Sequence, residues 1–104
     1  MQLTKTKKNK LISIIMPVHN GRQFLDYSVK SILKQSYKNF ELLIINDGST
    51  DNTLKIIKKF QLDKRIRVYS FTKKVGIVKC LNFGLQKSVG FYIARMDADD
   101  YSFS

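Results

Sequence analysis

Apolar residues in this chain of 104 residues fall into two kinds of segment that alternate along the sequence. Residues 11–18 (LISIIMPV) and 41–46 (ELLIIN) are short and almost continuously apolar, which is typical of strands buried on both faces of a parallel sheet. Residues 65–71 (RIRVYSF) alternate between polar and apolar, and residues 90–96 (GFYIARM) form another short apolar run. The pattern therefore predicts four strands.

Between the predicted strands, apolar residues recur at the spacing of an amphipathic helix. Ser49 and Thr50 are candidate N-caps for the second of these helices, and Gly76 opens the third. The positions that carry the spacing are Leu25, Val29, Ile32 and Leu33 in the first helix, Leu54, Ile57 and Phe60 in the second, and Ile77, Leu81 and Leu85 in the third.

The order β-α-β-α-β-α-β predicts a three-layer α/β sandwich of Rossmann-like type, with a mainly parallel sheet in strand order 3-2-1-4. We expect residues 1–10 to be a Lys-rich tail and residues 11–104 to form one domain. Ligands of such sheets bind outside the carboxyl ends of the strands. Three loops at that edge are therefore candidates for ligand binding, and they comprise residues 17–22, 46–51 and 96–101.

The acidic residues are concentrated in these loops. Only eight Asp and Glu occur in the sequence, and five of them follow the second and fourth predicted strands: Asp47, Asp51, Asp97, Asp99 and Asp100. Crowded carboxylates repel one another unless a cation lies among them, and oxygen ligands suit Mg²⁺ or Mn²⁺. The alternative is that these side chains only cap helices or form Asx turns. Two clusters at one edge of the sheet favour the metal site.

The formal net charge of +11 suits a polyphosphorylated small molecule, an anionic membrane surface or nucleic acid. The lysines are scattered and form no compact RNA- or DNA-binding motif, so we expect no nucleic acid partner. No apolar run is long enough to span a membrane, and no secretory leader is recognisable. These features predict a cytoplasmic protein, whose basic surface is compatible with peripheral contact at the inner face of the cell membrane. The single cysteine, Cys80, is expected to be buried and unreactive.

Four segments in the predicted order resemble the N-terminal, nucleotide-binding portion of family 2 glycosyltransferases of the GT-A fold. They are residues 13–21 (SIIMPVHNG), 31–53 (SILKQSYKNFELLIINDGSTDNT), 75–85 (VGIVKCLNFGL) and 90–100 (GFYIARMDADD). The resemblance implies an enzyme that binds a nucleotide-sugar donor, most often a UDP-sugar. It also favours transfer with inversion at the anomeric centre. It also implies transfer to a glycan or lipid-linked acceptor in surface polysaccharide synthesis.

The resemblance also assigns roles to single residues outside the acidic cluster. Pro17, His19 and Asn20 correspond to the loop that lines the nucleoside pocket, although the family usually has Tyr at the position of His19. Three roles stay open for His19: stacking on the nucleotide, hydrogen bonding to it, or a plain place in the loop. Asp47 corresponds to the carboxylate that accepts hydrogen bonds from the donor's base, which an ionised carboxylate can do for uracil N3–H.

Further roles follow for the start of the third helix and for the acidic cluster. Gly76 and Lys79 lie where relatives approach the donor, with a merely solvated lysine as the alternative for Lys79. Asp97, Asp99 and Asp100 correspond to the DxD region, which holds Mn²⁺ or Mg²⁺ against the diphosphate and contacts the donor. Asp99 and Asp100 are the first choices as metal ligands, followed by Asp97.

The family's acceptor site and catalytic base normally follow the DxD region. The sequence thus resembles a truncated enzyme whose base is expected beyond residue 104, so we expect residues 11–104 to bind a donor with little or no transfer alone. An apolar face and a strand edge would then be uncovered, which favours self-association.

A binding module without enzymatic activity is the alternative function, using its basic surface for nucleic acid or an anionic membrane. Such binding would weaken steeply with salt and would not depend on Asp97, Asp99 or Asp100. Two other classes fit poorly. A receiver-like domain needs acids after the first strand, and a dinucleotide-binding domain needs a G-x-G-x-x-G motif there.

Overall fold

A computed structural model describes residues 10–35 and 37–96 of the chain. The four strands and three helices predicted from the hydrophobic pattern are all present. In chain order they are β1 (Ile12–Val18), α1 (Leu25–Lys34), β2 (Phe40–Asp47), α2 (Thr53–Phe60), β3 (Ile66–Phe71), α3 (Ile77–Lys87) and β4 (Tyr92–Arg95).

The four strands form one sheet in the order β3-β2-β1-β4, and every neighbouring pair is parallel. This confirms the predicted three-layer α/β architecture and its strand order. The register aligns Val18 of β1 with Asn46 of β2, and Asn46 with Ser70 of β3. The carboxyl ends of the three strands therefore meet at one edge of the sheet, where the loops that follow them lie side by side.

Helices cover both faces of the two central strands, in which every residue is buried. One face packs against α1 and α2 in the larger core cluster, where Ile14, Leu42 and Ile57 are fully buried. The other face packs against α3 around Ile15, Leu43, Ile45 and Cys80. Continuous burial of this kind explains why β1 and β2 read as unbroken apolar runs.

Helix α3 approaches the sheet closely because of a glycine on its inner face. A Cβ atom added at Gly84 would lie 2.6 Å from Cγ2 of Ile15, closer than real contacts allow. The missing side chain thus lets the helix settle onto β1. This placement brings the N-terminal end of α3 to the carboxyl edge of the sheet.

The prediction that Ser49 or Thr50 caps α2 is wrong. The helix begins at Thr53, after Asn52. Thr50 donates its main-chain N–H to the side chain of Asn20, 2.7 Å away, and Asp51 accepts a hydrogen bond from the main-chain N–H of Thr53 at 2.9 Å. The turn is therefore longer than expected, because residues suited to helix capping bind the neighbouring loop instead.

Strand β4 forms one edge of this four-stranded sheet. Several of the apolar side chains around it are exposed, including Phe91 at 60% and Ile93 at 46% of their surface. These values contrast with the complete burial of β1 and β2. Within residues 10–35 and 37–96, no helix combines the length and the hydrophobicity that a membrane crossing requires.

Candidate functional site

The loops at the carboxyl edge of the sheet border a cavity of about 300 Å³ that is open to solvent. It lies where β1 and β2 end and where the loop between β3 and α3 returns to the sheet. This is the position at which open parallel sheets bind their ligands. The residues that line the cavity are Pro17, Val18, His19, Asp47, Lys74 and Ile77.

Asp47 is the last residue of β2, and only 4% of its surface is exposed. Its Oδ1 accepts a hydrogen bond from the main-chain N–H of Val75 at 2.7 Å, and its Oδ2 accepts one from Gly76 at 3.1 Å. Gly76 has φ of 98°, a conformation that glycine adopts without steric cost, and α3 begins directly after it. The carboxylate thus fixes the chain as it enters α3.

Cys80 lies on the first turn of α3, fully buried beneath the same carboxylate. Burial, the negative charge of Asp47 and a hydrogen bond to its side chain raise the pKa of the Cys80 thiol to about 11. The thiol therefore stays protonated at neutral pH and donates to Asp47. This confirms the expectation of a buried, unreactive cysteine and adds a contact to the site that the sequence did not indicate.

His19 and Asn20 join the loop after β1 to the loop after β2. His19 Nδ1 lies 2.6 Å from the main-chain carbonyl oxygen of Asp47, and His19 Nε2 lies 3.3 Å from Asn20 Nδ2. Asn20 Oδ1 accepts hydrogen bonds from the main-chain N–H groups of Thr50 at 2.7 Å and Asp51 at 3.3 Å. Both predicted residues thus belong to the edge that carries the cavity.

Asp51 is held in the turn that precedes α2. Burial by itself raises the pKa of its carboxyl, but hydrogen bonds from the hydroxyl and N–H of Thr53, together with Arg22, outweigh it and hold this pKa below the usual range. Its oxygen is therefore engaged within the turn. Asp51 serves the start of α2, whereas Asp47 lines the cavity.

The lysine that lines the cavity is Lys74, which was not predicted from the sequence. The predicted residue, Lys79, is exposed on α3. A Cβ atom at Gly48 would lie 2.4 Å from the main-chain nitrogen of Lys74, so the loops after β2 and β3 are in direct contact there. The signal was available, because β3 ends at the same edge and its following loop, residues 72–76, carries two lysines.

The predicted metal ligands Asp97, Asp99 and Asp100 lie outside the described residues. Strand β4 is paired with β1 as far as Arg95, and Met96 donates its main-chain N–H to the carbonyl of Ile15 at 3.0 Å. Residues 10–35 and 37–96 contain no group of three or more His, Cys, Asp or Glu side chains that could hold a metal ion. The metal site therefore stays a prediction.

A second buried carboxylate lies at the opposite end of β2. Glu41, 7% exposed, accepts hydrogen bonds from Ser13 Oγ at 2.5 Å and from the N–H of Val89 at 2.8 Å, and it pairs with Arg67 at 2.7 Å. Burial by itself raises the pKa of Glu41, but these three partners outweigh it and hold the pKa below its usual value. This network joins β1, β2 and β3 to the segment after α3.

Comparison with known proteins assigns the chain to a protein family. Residues 13–103 match the family described as Glycosyl transferase family 2. An uncharacterized glycosyltransferase of Haemophilus influenzae is 46% identical over 91 residues, which are 86% of this chain and 28% of that protein. The putative teichuronic acid biosynthesis glycosyltransferase TuaG of Bacillus subtilis is 34% identical over 91% of this chain and 38% of its own length.

Solved structures give the same result. S. aureus TarS 1-349 in complex with UDP-GlcNAc superposes with a TM-score of 0.81 and 29% identity, over 86% of this chain and 27% of that one. The mannosyltransferase PcManGT from Pyrobaculum calidifontis, in complex with GDP-Man and Mn²⁺, has a TM-score of 0.82 at 21% identity, over 90% and 28% of the two chains. The latter likeness concerns the fold alone. The chain spans between about a quarter and two fifths of the length of these proteins.

Proposed function

Because this chain belongs to family 2 of the glycosyl transferases, we propose that it binds a nucleotide-sugar donor in the cavity beside Asp47. The observation that carries the proposal is an acidic residue, Asp47, which is 4% exposed and lines a cavity at the carboxyl edge of a parallel sheet. A carboxylate in such a place recognises N–H groups of a ligand, because it can only accept hydrogen bonds when ionised.

A uracil base fits the acceptor capacity that Asp47 has left. A carboxylate offers about four lone-pair positions. The N–H groups of Val75 and Gly76 and the thiol of Cys80 use three of them. One position remains for the N3–H of a uracil ring, the base that UDP-sugars carry. The complex of TarS with UDP-GlcNAc supports the same class of donor.

The diphosphate of the donor needs positive charge near the base-binding end of the cavity. Lys74 lines the cavity and supplies one ammonium group there. Asp97, Asp99 and Asp100 would hold Mn²⁺ or Mg²⁺, with Asp99 and Asp100 as the first ligands, and Gly76 and Lys79 would lie beside the donor. The bound metal would neutralise charge on the departing nucleoside diphosphate.

Transfer itself is proposed for the enzyme as a whole, since the chain spans 28% and 38% of the two relatives described above. Residues 11–104 are its donor-binding portion, acting with an acceptor site and a general base supplied elsewhere, and the reaction inverts the anomeric centre. The relationship to TuaG supports a glycan or lipid-linked acceptor in cell-surface polysaccharide synthesis. Such acceptors would bring the basic protein to the cytoplasmic face of the membrane.

Calorimetric titration of the 104-residue protein with UDP, GDP and dTDP, with and without Mn²⁺, tests the proposal. We expect UDP to bind most tightly and Mn²⁺ to strengthen its binding. Asp99→Asn should remove the effect of Mn²⁺ while weaker, metal-independent binding of UDP remains. Failure of all three nucleotides to bind with Mn²⁺ present would refute the proposed function. Salt-sensitive binding of nucleic acid or anionic vesicles instead would support a basic binding module.

A further inference from the structure

We propose that His19 is held as the tautomer protonated at Nδ1, and that His19 and Asn20 are positioning residues that lock the loop after β1 onto the loop after β2. The lock fixes the wall of the cavity beside Asp47. The positioning role rests on the proposed nucleotide site, whereas the tautomer is a property of the protein without ligand.

The first half of the lock is a short contact to the main chain of β2. His19 Nδ1 lies 2.6 Å from the carbonyl oxygen of Asp47. A carbonyl oxygen has no proton to give, so the nitrogen must be the donor and must carry the hydrogen. In a neutral imidazole ring the other nitrogen, Nε2, then holds a lone pair and can only accept.

The second half is the side-chain amide of Asn20, whose orientation the neighbouring loop fixes. Asn20 Oδ1 accepts from the main-chain N–H groups of Thr50 at 2.7 Å and Asp51 at 3.3 Å. The oxygen must therefore face the β2–α2 loop, which leaves the NH₂ group as the atom 3.3 Å from His19 Nε2. The NH₂ group donates and Nε2 accepts. The contact with Asp47 and the contact with Asn20 therefore require the same tautomer of His19.

The backbone of Asn20 strengthens the connection between the loops. Asn20 has φ of 51°, a left-handed conformation that asparagine adopts more readily than most residues. In this conformation its main-chain N–H donates to Ser49 Oγ at 3.0 Å. Asn20 thus reaches residues 49, 50 and 51 by its main chain and its side chain together, while His19 reaches Asp47.

This arrangement determines how His19 serves the cavity that it lines. Both of its ring nitrogens are occupied by protein atoms, so neither is free to hydrogen-bond a ligand without breaking the lock. The ring acts on the site by holding the end of β1 against the end of β2. Asp47, which lines the same cavity, is joined to His19 through its main-chain oxygen.

Nitrogen NMR tests the tautomer directly, because His19 is the single histidine of the sequence and its ring signals need no assignment by mutagenesis. Long-range ¹H–¹⁵N correlation of the unliganded protein, at a pH where the ring is neutral, should show a protonated Nδ1 and an unprotonated Nε2. A ring protonated at Nε2, or a rapidly exchanging mixture of the two tautomers, would refute the lock.

Two amide substitutions test the positioning role with UDP and Mn²⁺ as the probe. The amide nitrogen of His19→Asn lies near the position of Nδ1 and can still donate to Asp47, whereas that of His19→Gln lies near the position of Nε2. We expect His19→Asn to keep UDP affinity within about threefold and His19→Gln to lose about tenfold, the equivalent of one hydrogen bond. Amide NMR spectra would show whether both variants remain folded.

Equal affinities of the two variants, or tighter binding by His19→Gln, would overturn the positioning role. A wild-type protein that binds no UDP would overturn the proposed function and the positioning role with it. The NMR result would still decide the tautomer in that case, so the two failures can be told apart.

Discussion

Strand β2 carries two buried carboxylates, and comparing them separates the framework of this fold from its site. Glu41 and Asp47 are six residues apart and therefore lie on the same face of the strand, the face that packs against α3. Glu41 accepts the N–H of Val89, after α3, and Asp47 accepts those of Val75 and Gly76, before it. The two carboxylates thus clamp α3 onto the sheet from both ends.

The two carboxylates differ in how their charge is met. Glu41 forms an ion pair with Arg67 and also accepts from Ser13, so its network is complete within the protein. Among the described residues, no lysine or arginine forms an ion pair with Asp47, and this residue lines a cavity. Asp47 is held instead by hydrogen bonds from the main-chain N–H groups of Val75 and Gly76, which are neutral donors rather than a counter-charge. A ligand in the cavity can therefore interact with the end of β2 that carries Asp47, whereas the end that carries Glu41 is structural.

The largest effect is expected from Asp47→Asn. One amide group cannot accept from Val75 and Gly76 and also from a ligand, because its NH₂ donates. Hydrogen bonds to charged groups contribute about 1.5–3 kcal/mol, so we expect UDP affinity to fall roughly 10- to 100-fold. The measurement is calorimetry with UDP and Mn²⁺, and the free energy of unfolding should decrease in the same variant.

Glu41→Gln is the matched variant at the other end of β2, and its effect should be confined to stability. The substitution leaves the guanidinium of Arg67 without its carboxylate, and we expect a loss of about 1.5–3 kcal/mol in the free energy of unfolding. UDP affinity should stay within about twofold of the wild type. Urea unfolding and calorimetry check the two expectations. A fall in affinity as large as that of Asp47→Asn would show that both carboxylates act through the placement of α3.

The sequence predicted the fold in full outline because its signals are local. Unbroken apolar runs indicated β1 and β2, helical spacing indicated the helices, and the alternating order then left a parallel sheet as the expected architecture. The same order predicts that Asp47 and the loop of His19 lie at one edge of the sheet. In a parallel sheet the carboxyl ends of neighbouring strands lie at the same edge, so residues that follow different strands become neighbours in space.

The contacts within the site could not be predicted in the same way. The partners of Asp47 are main-chain N–H groups of Val75 and Gly76, which carry no signal in the residue type. Ser49 and Thr50 have the composition of helix caps, yet they bind Asn20 across the loop. Such a choice depends on the distance between two loops, which local composition does not encode. The predicted metal ligands after β4 lie outside the described residues and stay predictions.

Two glycines provide a matched test at a smaller scale. A Cβ atom at Gly48, beside Asp47, would lie 2.4 Å from the nitrogen of Lys74, and one at Gly90 would lie 2.5 Å from Ser13 Oγ in the Glu41 network. Alanine at either position should cost about 1–3 kcal/mol of stability through overpacking, and Gly48→Ala should cost more than Gly90→Ala because Gly48 has φ of 62°. Gly48→Ala should also weaken UDP binding a few-fold by displacing Lys74, and Gly90→Ala should not. Equal UDP affinities of the two folded variants would contradict a role for the loop around Lys74.

The smallest expected effect is the dependence of the Glu41 network on pH. Because the partners of Glu41 hold its pKa in the folded protein below the ordinary value of 4.5, the unfolded chain takes up the proton first as the pH falls. The stability that the ionised group contributes is therefore present above that value and is lost as the pH falls through the folded pKa.

Urea unfolding of the wild type and of Glu41→Gln at about pH 7 and about pH 3 measures this loss, and we expect the difference between the two proteins to shrink in acid. Asp26, Asp51 and Asp63 also have lowered pKa values, but they are common to both proteins and cancel in the difference. A difference that is the same at both pH values would mean that the hydrogen bonds of Glu41 stabilise the protein through their geometry rather than through charge, and the contrast with Asp47 would then rest on the cavity alone.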